Sequence, residues 1–211
     1  MMTTKQDEGH WFADLLMKFA PTEVEVTGET PEEMTSSASW KTFGISTAAA
    51  LPPGPFGLAT ILPELMAVTK IQMNLIYAIA AYHKKEGKLN STLVLLIFAN
   101  EAGVEVGKAV AKQMGAKLII KTLGSRSIRA IAQKIGIKIT ARITQKAVGR
   151  WIPFVLAPIF GAFSKAMTTR IGEEANRLFS QDFDVEETKL CPNGHDVVEG
   201  SKFCQECGAT M

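Results

Sequence analysis

An all-α core of about six helices with a small metal-bound appendage is what this sequence predicts, and three observations predict it. Apolar residues recur at steps of three and four along most of the chain, which is the spacing of one helix face and not of a strand. Glycines, prolines and Ser/Thr/Asn caps cut the 211 residues into segments of helical length. All three cysteines and one of the three histidines fall in the closing stretch CPNGHDVVEGSKFCQECGATM, from Cys191 to Met211.

A chain of this length holds one core domain and extras, not two ordinary domains. Residues 1–39 read as an acidic leader. Trp11, Phe12, Leu15, Leu16 and Phe19 have helical spacing and form a short docking helix, and the acidic, turn-rich stretch from Pro21 to Ser39 reads as a linker. Residues 40–180 are the helical domain. LPPGPFG (Leu51–Gly57) packs three prolines and two glycines into seven positions and sets a stiff turn. The next helix starts at Thr60, which can cap it, tolerates Pro63 in its first turn, and runs to Gly87.

Asn90 or Ser91 can cap the following segment, which is expected to stay helical until Gly115 and so to complete a helical hairpin. AKLIIKT (Ala116–Thr122) has strand character but no evident strand to pair with. Ser125 or Ser127 can cap a long helix with isoleucines at 128, 131, 135, 139 and 143. WIPFVLAPIFGAF is then broken by Pro153 and Pro158, and SKAMTTRIGEEANRLF makes a last helix. Residues 181–211 are a linker and a metal-binding ribbon. Two apolar stretches fall short of a membrane span: Asn100, Glu101 and Glu105 interrupt the run at Leu93–Phe98, and Trp151–Phe163 is short of the roughly 20 residues that crossing requires, which leaves a re-entrant or interfacial placement open.

Net charge is +2, but it is unevenly spread: residues 1–34 carry −6, residues 35–178 carry +13 and residues 179–211 carry −5. A basic core between acidic ends points to an anionic partner or to a solvated basic surface screened by the tails. The acidic N-terminus, MMTTKQDEGHWF, does not read as an export signal. With three cysteines and no even framework, metal ligation in a reducing, cytoplasmic setting is expected over disulfides.

In the tail, Cys191-x3-His195 is separated by eight residues from Cys204-x2-Cys207. Two close pairs joined by a short loop can face each other across one ion, and three thiolates with an imidazole complete the tetrahedral shell of structural Zn2+. Gly194 and Gly208 suit the tight knuckles beside the ligands. Asp196 is an alternative fourth donor. A segment this small relies on the metal for its folding free energy, on the order of 10 kcal/mol. Four protein donors leave no open position, which argues against hydrolysis. The ribbon is acidic outside its ligands, with Asp196, Glu199 and Glu206 against Lys202, so a protein partner is expected and nucleic acid is not.

In the long helix after Ser125, Lys134, Lys138, Arg142, Lys146 and Arg150 recur every four residues beside the isoleucine ridge. One ridge can enter a core or lipid while the other meets anions, and Trp151 and Phe154 follow directly. An anionic membrane surface fits this better than nucleic acid, for which few aromatics are interleaved. Glu101 and Glu105, one helical turn apart, can share a cation or pair with Lys108 and Lys112. His83 ends a helix beside Lys84 and Lys85, where a cation complements the dipole. Neither His83 nor His10 sits in a pattern that forms a catalytic triad, and no phosphate-binding loop is present.

LPPGPFGLATILPELMAVTKIQMNLIYAIAAYH resembles the start of EcsC-family domains, and ITARITQKAVGRWIPFVLAPIFGAFSKAMTTRIGEEANRLF resembles their closing portion. The resemblance covers about residues 40–180 and lies in patterns of Pro, Gly and small residues. It implies an α-helical domain that acts at membranes, with no enzymatic residues to carry over. Pro63-Glu64 departs from the family pattern, in which an acidic residue commonly precedes the proline, and the ribbon is an addition. The expected function is a non-enzymatic domain on the inner face of the membrane, its zinc ribbon making protein contacts. The alternatives are a soluble scaffold, self-associating through its helices, or nucleic-acid binding through residues 125–150.

Overall fold

A computed structural model describes residues 7–18, 29–51, 60–104, 110–114, 117–147, 153–193, 195, 197, 200–205 and 207–210. These form helices α1 (Asp7–Lys18), α2 (Pro31–Ala49), α3 (Ile61–Tyr82), α4 (Ser91–Ala102), α5 (Ser125–Ala147) and α6 (Pro153–Ser180). Three short strands are added: β1 (Ala111–Met114), β2 (Lys117–Lys121) and β3 (Phe183–Glu186). The chain is mostly helical, as its sequence predicts. It divides into two units. The first comprises Met1–Met17, Asn90–Ile137 and Gln181–Met211, and the second Lys18–Leu89 and Lys138–Ser180, so the division falls within α5.

In the first unit α1 buries Phe12, Ala13 and Leu16, the face that the spacing marked for docking, while Phe19 and the side chain of Trp11 lie outside the described residues. The ring of Phe12 meets Phe98 of α4 edge-on, with centroids 5.1 Å apart. Asn90 caps α4 as expected, its side chain accepting from the amides of Thr92 and Leu93. The helix does not run on to Gly115, however. Gly103 takes a left-handed φ of 64° and ends it, a conformation that glycine adopts without the Cβ penalty. Glu101 therefore lies in the last turn of α4, and Glu105 lies outside the described residues.

The expectation of an unpaired strand is also corrected. β2 is the middle strand of a sheet, antiparallel to β1 (Ala111 opposite Ile120) and parallel to β3 (Leu118 opposite Phe183). Ile120 and Phe183 are fully buried, and exposed ion pairs of Lys117 with Asp184 and Lys121 with Glu186 edge the parallel pair. The parallel partner lies more than sixty residues downstream, beyond the reach of local patterning. α5 starts at Ser125 with Gly124 in the cap position, accepting from the Ile128 amide, so neither Ser125 nor Ser127 caps it.

The second unit holds α2, α3 and α6. Residues 31–39, expected as linker, are the first half of α2. Its start is a capping box: Thr30 Oγ1 accepts from the Glu33 amide and the Glu33 carboxylate accepts from the Thr30 amide at 2.8 Å, with Pro31 at the first helical position. The Thr30 amide, and then the Thr30 hydroxyl donating to the same carboxylate at 3.0 Å, hold the Glu33 carboxyl below its ordinary value. Thr60 is not a side-chain cap for α3. Its hydroxyl donates instead to the carbonyl of Ala49, at 2.9 Å, which ties the start of α3 to the end of α2. The turn at 52–59 lies outside the described residues. α6 is one helix and not two segments: Pro153 opens it, and Pro158 sits one turn in, where few intrahelical bonds are lost.

α2 and α6 meet through small and hydroxyl-bearing residues. Thr42 Oγ1 and Thr168 Oγ1 are 3.0 Å apart, Ser46 Oγ and Ser164 Oγ 2.6 Å, and Gln72 of α3 donates to Thr168 at 3.0 Å. All five are buried. Gly161 and Gly172 let the backbones approach: a Cβ at either would overlap the hydroxyl of Thr47 or of Thr35. Close approach through small residues with hydroxyls bonding across is a packing mode widely used between helices in membranes. α3 is 22 residues long and apolar enough to span a bilayer by length and composition, but half of its apolar window is buried within the protein. At one end of this unit Asn176 of α6 donates to Glu32 of α2 and meets His83, whose Nε2 lies 2.7 Å from Asn176 Oδ1. At the other, Ala50 packs with Ala157 and Phe160. α2 thus runs antiparallel to both α3 and α6.

Candidate metal centre

After β3 the chain turns back on itself twice. The Cys191 amide donates to the His195 carbonyl at 3.0 Å, closing the first knuckle, and the Gly208 amide donates to the Cys204 carbonyl at 2.8 Å, closing the second. Gly208 sits at φ 70°, where an L side chain is disfavoured. Phe203 and Thr210 form a β-bridge, and the Cys204 amide donates to the Ala209 carbonyl. Cys191, Val197 and Cys204 share a small buried cluster with Ala209 against it. Gly194 and Asp196 lie outside the described residues.

These turns bring together all four ligands that the spacing selected. Cys191, His195 and Cys204 are buried, Cys207 is exposed, and the donor atoms all lie within 4.8 Å of one another. Cys191 Sγ is 3.7 Å from Cys207 Sγ and 3.4 Å from His195 Nδ1, and Cys204 Sγ is 3.7 Å from the same nitrogen. Around a tetrahedral ion with bonds of about 2.3 Å to sulfur, the sulfurs sit about 3.8 Å apart. The separations match, so the group could hold a metal ion.

The surroundings favour thiolates. The His195 amide points at Cys191 Sγ, and the Asn193 side-chain amide donates to Cys207 Sγ, each at 3.4 Å. A backbone hydrogen bond from Ala209, then that from Asn193, hold the Cys207 thiol down at about 6. A thiol so placed is already the anion that a metal needs. The other ring nitrogen, His195 Nε2, meets Nη1 of Arg126 in the first turn of α5. The guanidinium has only donors, so Nε2 accepts from it and the ring proton sits on Nδ1. A metal bound to Nδ1 requires the opposite tautomer, and Arg126 must then turn away.

The cationic ridge is placed only in part. Lys134 and Lys138 are exposed, whereas Ile128, Ile135 and Ile139 are buried. These three isoleucines of the apolar ridge therefore enter the protein, Ile131 is half-buried, and the side chain of Ile143 lies outside the described residues. Arg150 and Trp151 lie outside the described residues, as do the side chains of Arg142, Lys146 and Phe154. Sequence reasoning missed Arg126 and Asn193. Asn193 was legible as a polar residue inside the Cys-Pro-Asn-Gly-His knuckle; Arg126 comes to the site only through the fold. No family model matches the chain, and no curated protein or solved structure matches it.

Proposed function

We propose that this is a non-enzymatic, cytoplasmic helical protein of EcsC-like type that meets the inner face of a membrane, with a structural Zn2+ in its C-terminal ribbon. The observation that carries the membrane reading is the charge along α5 and around it. Between Glu105 and Glu173 the chain has thirteen lysines and arginines and no acid. On α5 Ile128, Ile135 and Ile139 are buried, while Arg129, Lys134 and Lys138 are exposed. A cationic face is attracted to anionic lipid, by about 1 kcal/mol for each cation near the surface.

Zinc is the reading that the donor set supports: three sulfurs and an imidazole at tetrahedral separations, in a reducing compartment. With four protein donors there is no position for a substrate, so the metal staples the ribbon and does no chemistry. Phe203 is 57% exposed and Leu190 47% exposed on that module, which suits a protein contact and also supports the second reading, a soluble scaffold.

Flotation of the full-length protein with vesicles separates the two. Binding to vesicles with anionic lipid, absent with neutral lipid and lost in Lys138→Glu with Arg142→Glu, is the expected result. A protein that stays with no vesicle at low salt is a scaffold and not a membrane protein.

A further inference from the structure

The first knuckle of the ribbon supplies Cys191 and His195 and the second supplies Cys204 and Cys207, and all three cysteines are free thiols. Cys191 Sγ lies 3.7 Å from Cys207 Sγ, sixteen residues along the chain. The two sulfurs are in van der Waals contact across the gap between the knuckles, and a disulfide needs them at about 2.0 Å. Cys207 is exposed, so its side chain can turn to close that difference.

Contacts that involve no metal hold the knuckles opposed. The Val197 amide donates to the Lys189 carbonyl at 3.0 Å, and the Cys204 amide to the Ala209 carbonyl at 2.8 Å. Val197 and Ala209 pack with Cys191 and Cys204. One sulfur therefore stands at the surface with a second, buried sulfur directly behind it. In such a pair an oxidised surface thiol is captured by its neighbour before it is oxidised further.

We propose that the ribbon has an oxidised closed state, in which a disulfide between Cys191 and Cys207 takes the place of the metal and hydrogen peroxide is the oxidant. The proposal rests on the metal-centre reading above and adds a redox control of that centre. In the metal-free ribbon the Cys207 thiolate attacks one peroxide oxygen, the O–O bond breaks, and hydroxide leaves and takes up a proton as water. Cys207 now carries S–OH. The Cys191 sulfur attacks the Cys207 sulfur, the S–S bond forms, the S–O bond breaks, and the hydroxyl leaves as a second water with the Cys191 thiol proton. Each sulfur has given up one electron and the peroxide has taken both. Of the four donors Cys204 and His195 remain, which is too few for a structural ion. Metal and disulfide exclude each other: a loaded ribbon resists oxidation, and an oxidised ribbon does not load until a thiol reductant opens the bond.

Trypsin reads the pairing directly. Cleavage after Lys189 and Lys202 puts Cys191 in the peptide 190–202, and Cys204 and Cys207 together in the peptide 203–211. Full-length protein freed of metal by chelation is treated with hydrogen peroxide, its remaining thiols are alkylated, and the digest is read by mass spectrometry. The expected product joins the two peptides through Cys191 and Cys207, with Cys204 alkylated. Zinc uptake by the oxidised protein falls by about tenfold or more and returns with dithiothreitol, and zinc loaded beforehand slows the disulfide by about as much. Cys204→Ser keeps the joined peptides and Cys207→Ser abolishes them. A bond confined to the peptide 203–211, or Cys207 carried to the sulfinic acid with no bond, overturns the proposal. Zinc uptake that survives the disulfide overturns it too. A reduced wild type that takes up no zinc overturns the metal-centre reading instead, whether or not the peptides join.

Discussion

Nη1 of Arg126 donates to Nε2 of His195, joining the first turn of α5 to the imidazole that turns its Nδ1 toward Cys191 and Cys204. That contact favours the tautomer that cannot bind a metal through Nδ1, the nitrogen facing the thiols, so arginine and metal compete for one ring. Arg126→Ala should leave the number of bound ions unchanged and tighten the site, by up to about tenfold, the lower end of what groups around metal ligands usually contribute. Competition with a chromogenic chelator measures it, and weaker binding in the variant would show that Arg126 supports the loaded site.

Cys207 tests the electrostatics of the ribbon. The Ala209 and Asn193 bonds hold its thiol at about 6; the group is an acid with a depressed value, so the thiolate prevails above about pH 6 and is lost below it. In metal-free protein, alkylation of Cys207 by iodoacetamide should have its midpoint near that pH. Asn193→Ala should move the midpoint upward, and saturating metal should block the reaction.

The helix interface of the second unit predicts a size limit. A Cβ at Gly172 overlaps the Thr35 hydroxyl, so Gly172→Ala should destabilise by about 1–3 kcal/mol, the usual range for overpacking. Thr35→Ala frees the space and should recover part of the loss in the double variant. Urea denaturation of the four proteins in the cycle gives the coupling; simple additivity would mean that the helices shift apart freely.

The leader is a docked element and should behave as one. Phe12 is fully buried against Phe98, and Phe12→Ala should cost about 3–5 kcal/mol by cavity formation. Limited proteolysis should then cut first within α1 (Asp7–Lys18), whereas wild type is protected there.

Several elements were legible because their signals are local. Asn90 before an apolar run, the docking face of Phe12 and Leu16, and the two Cys/His pairs each depend on residues a few positions apart. α2 was missed over residues 31–39 although the capping box Thr30-Pro-Glu-Glu33 stands in the sequence. Beside Met34 and Ala38 its buried residues are Thr35, Ser39, Thr42 and Ser46, and hydroxyls buried at a helix interface look polar to any hydropathy pattern. The end of α4 at Gly103 and the pairing of Lys117–Lys121 were missed for another reason. Helical propensity at Ala111–Met114 gave way to antiparallel pairing with β2, and the second partner of β2, β3, is distant in sequence. Pro158 was given too much weight, since a proline near the start of a long helix bends it without dividing it.

Metal stoichiometry of the full-length protein tests the central structural claim most directly. Native mass spectrometry after purification without chelators should show one zinc ion per chain in wild type and none in Cys204→Ser with Cys207→Ser. A wild-type chain that carries no metal in excess zinc, or a double variant that retains the ion, would contradict a centre built from Cys191, His195, Cys204 and Cys207.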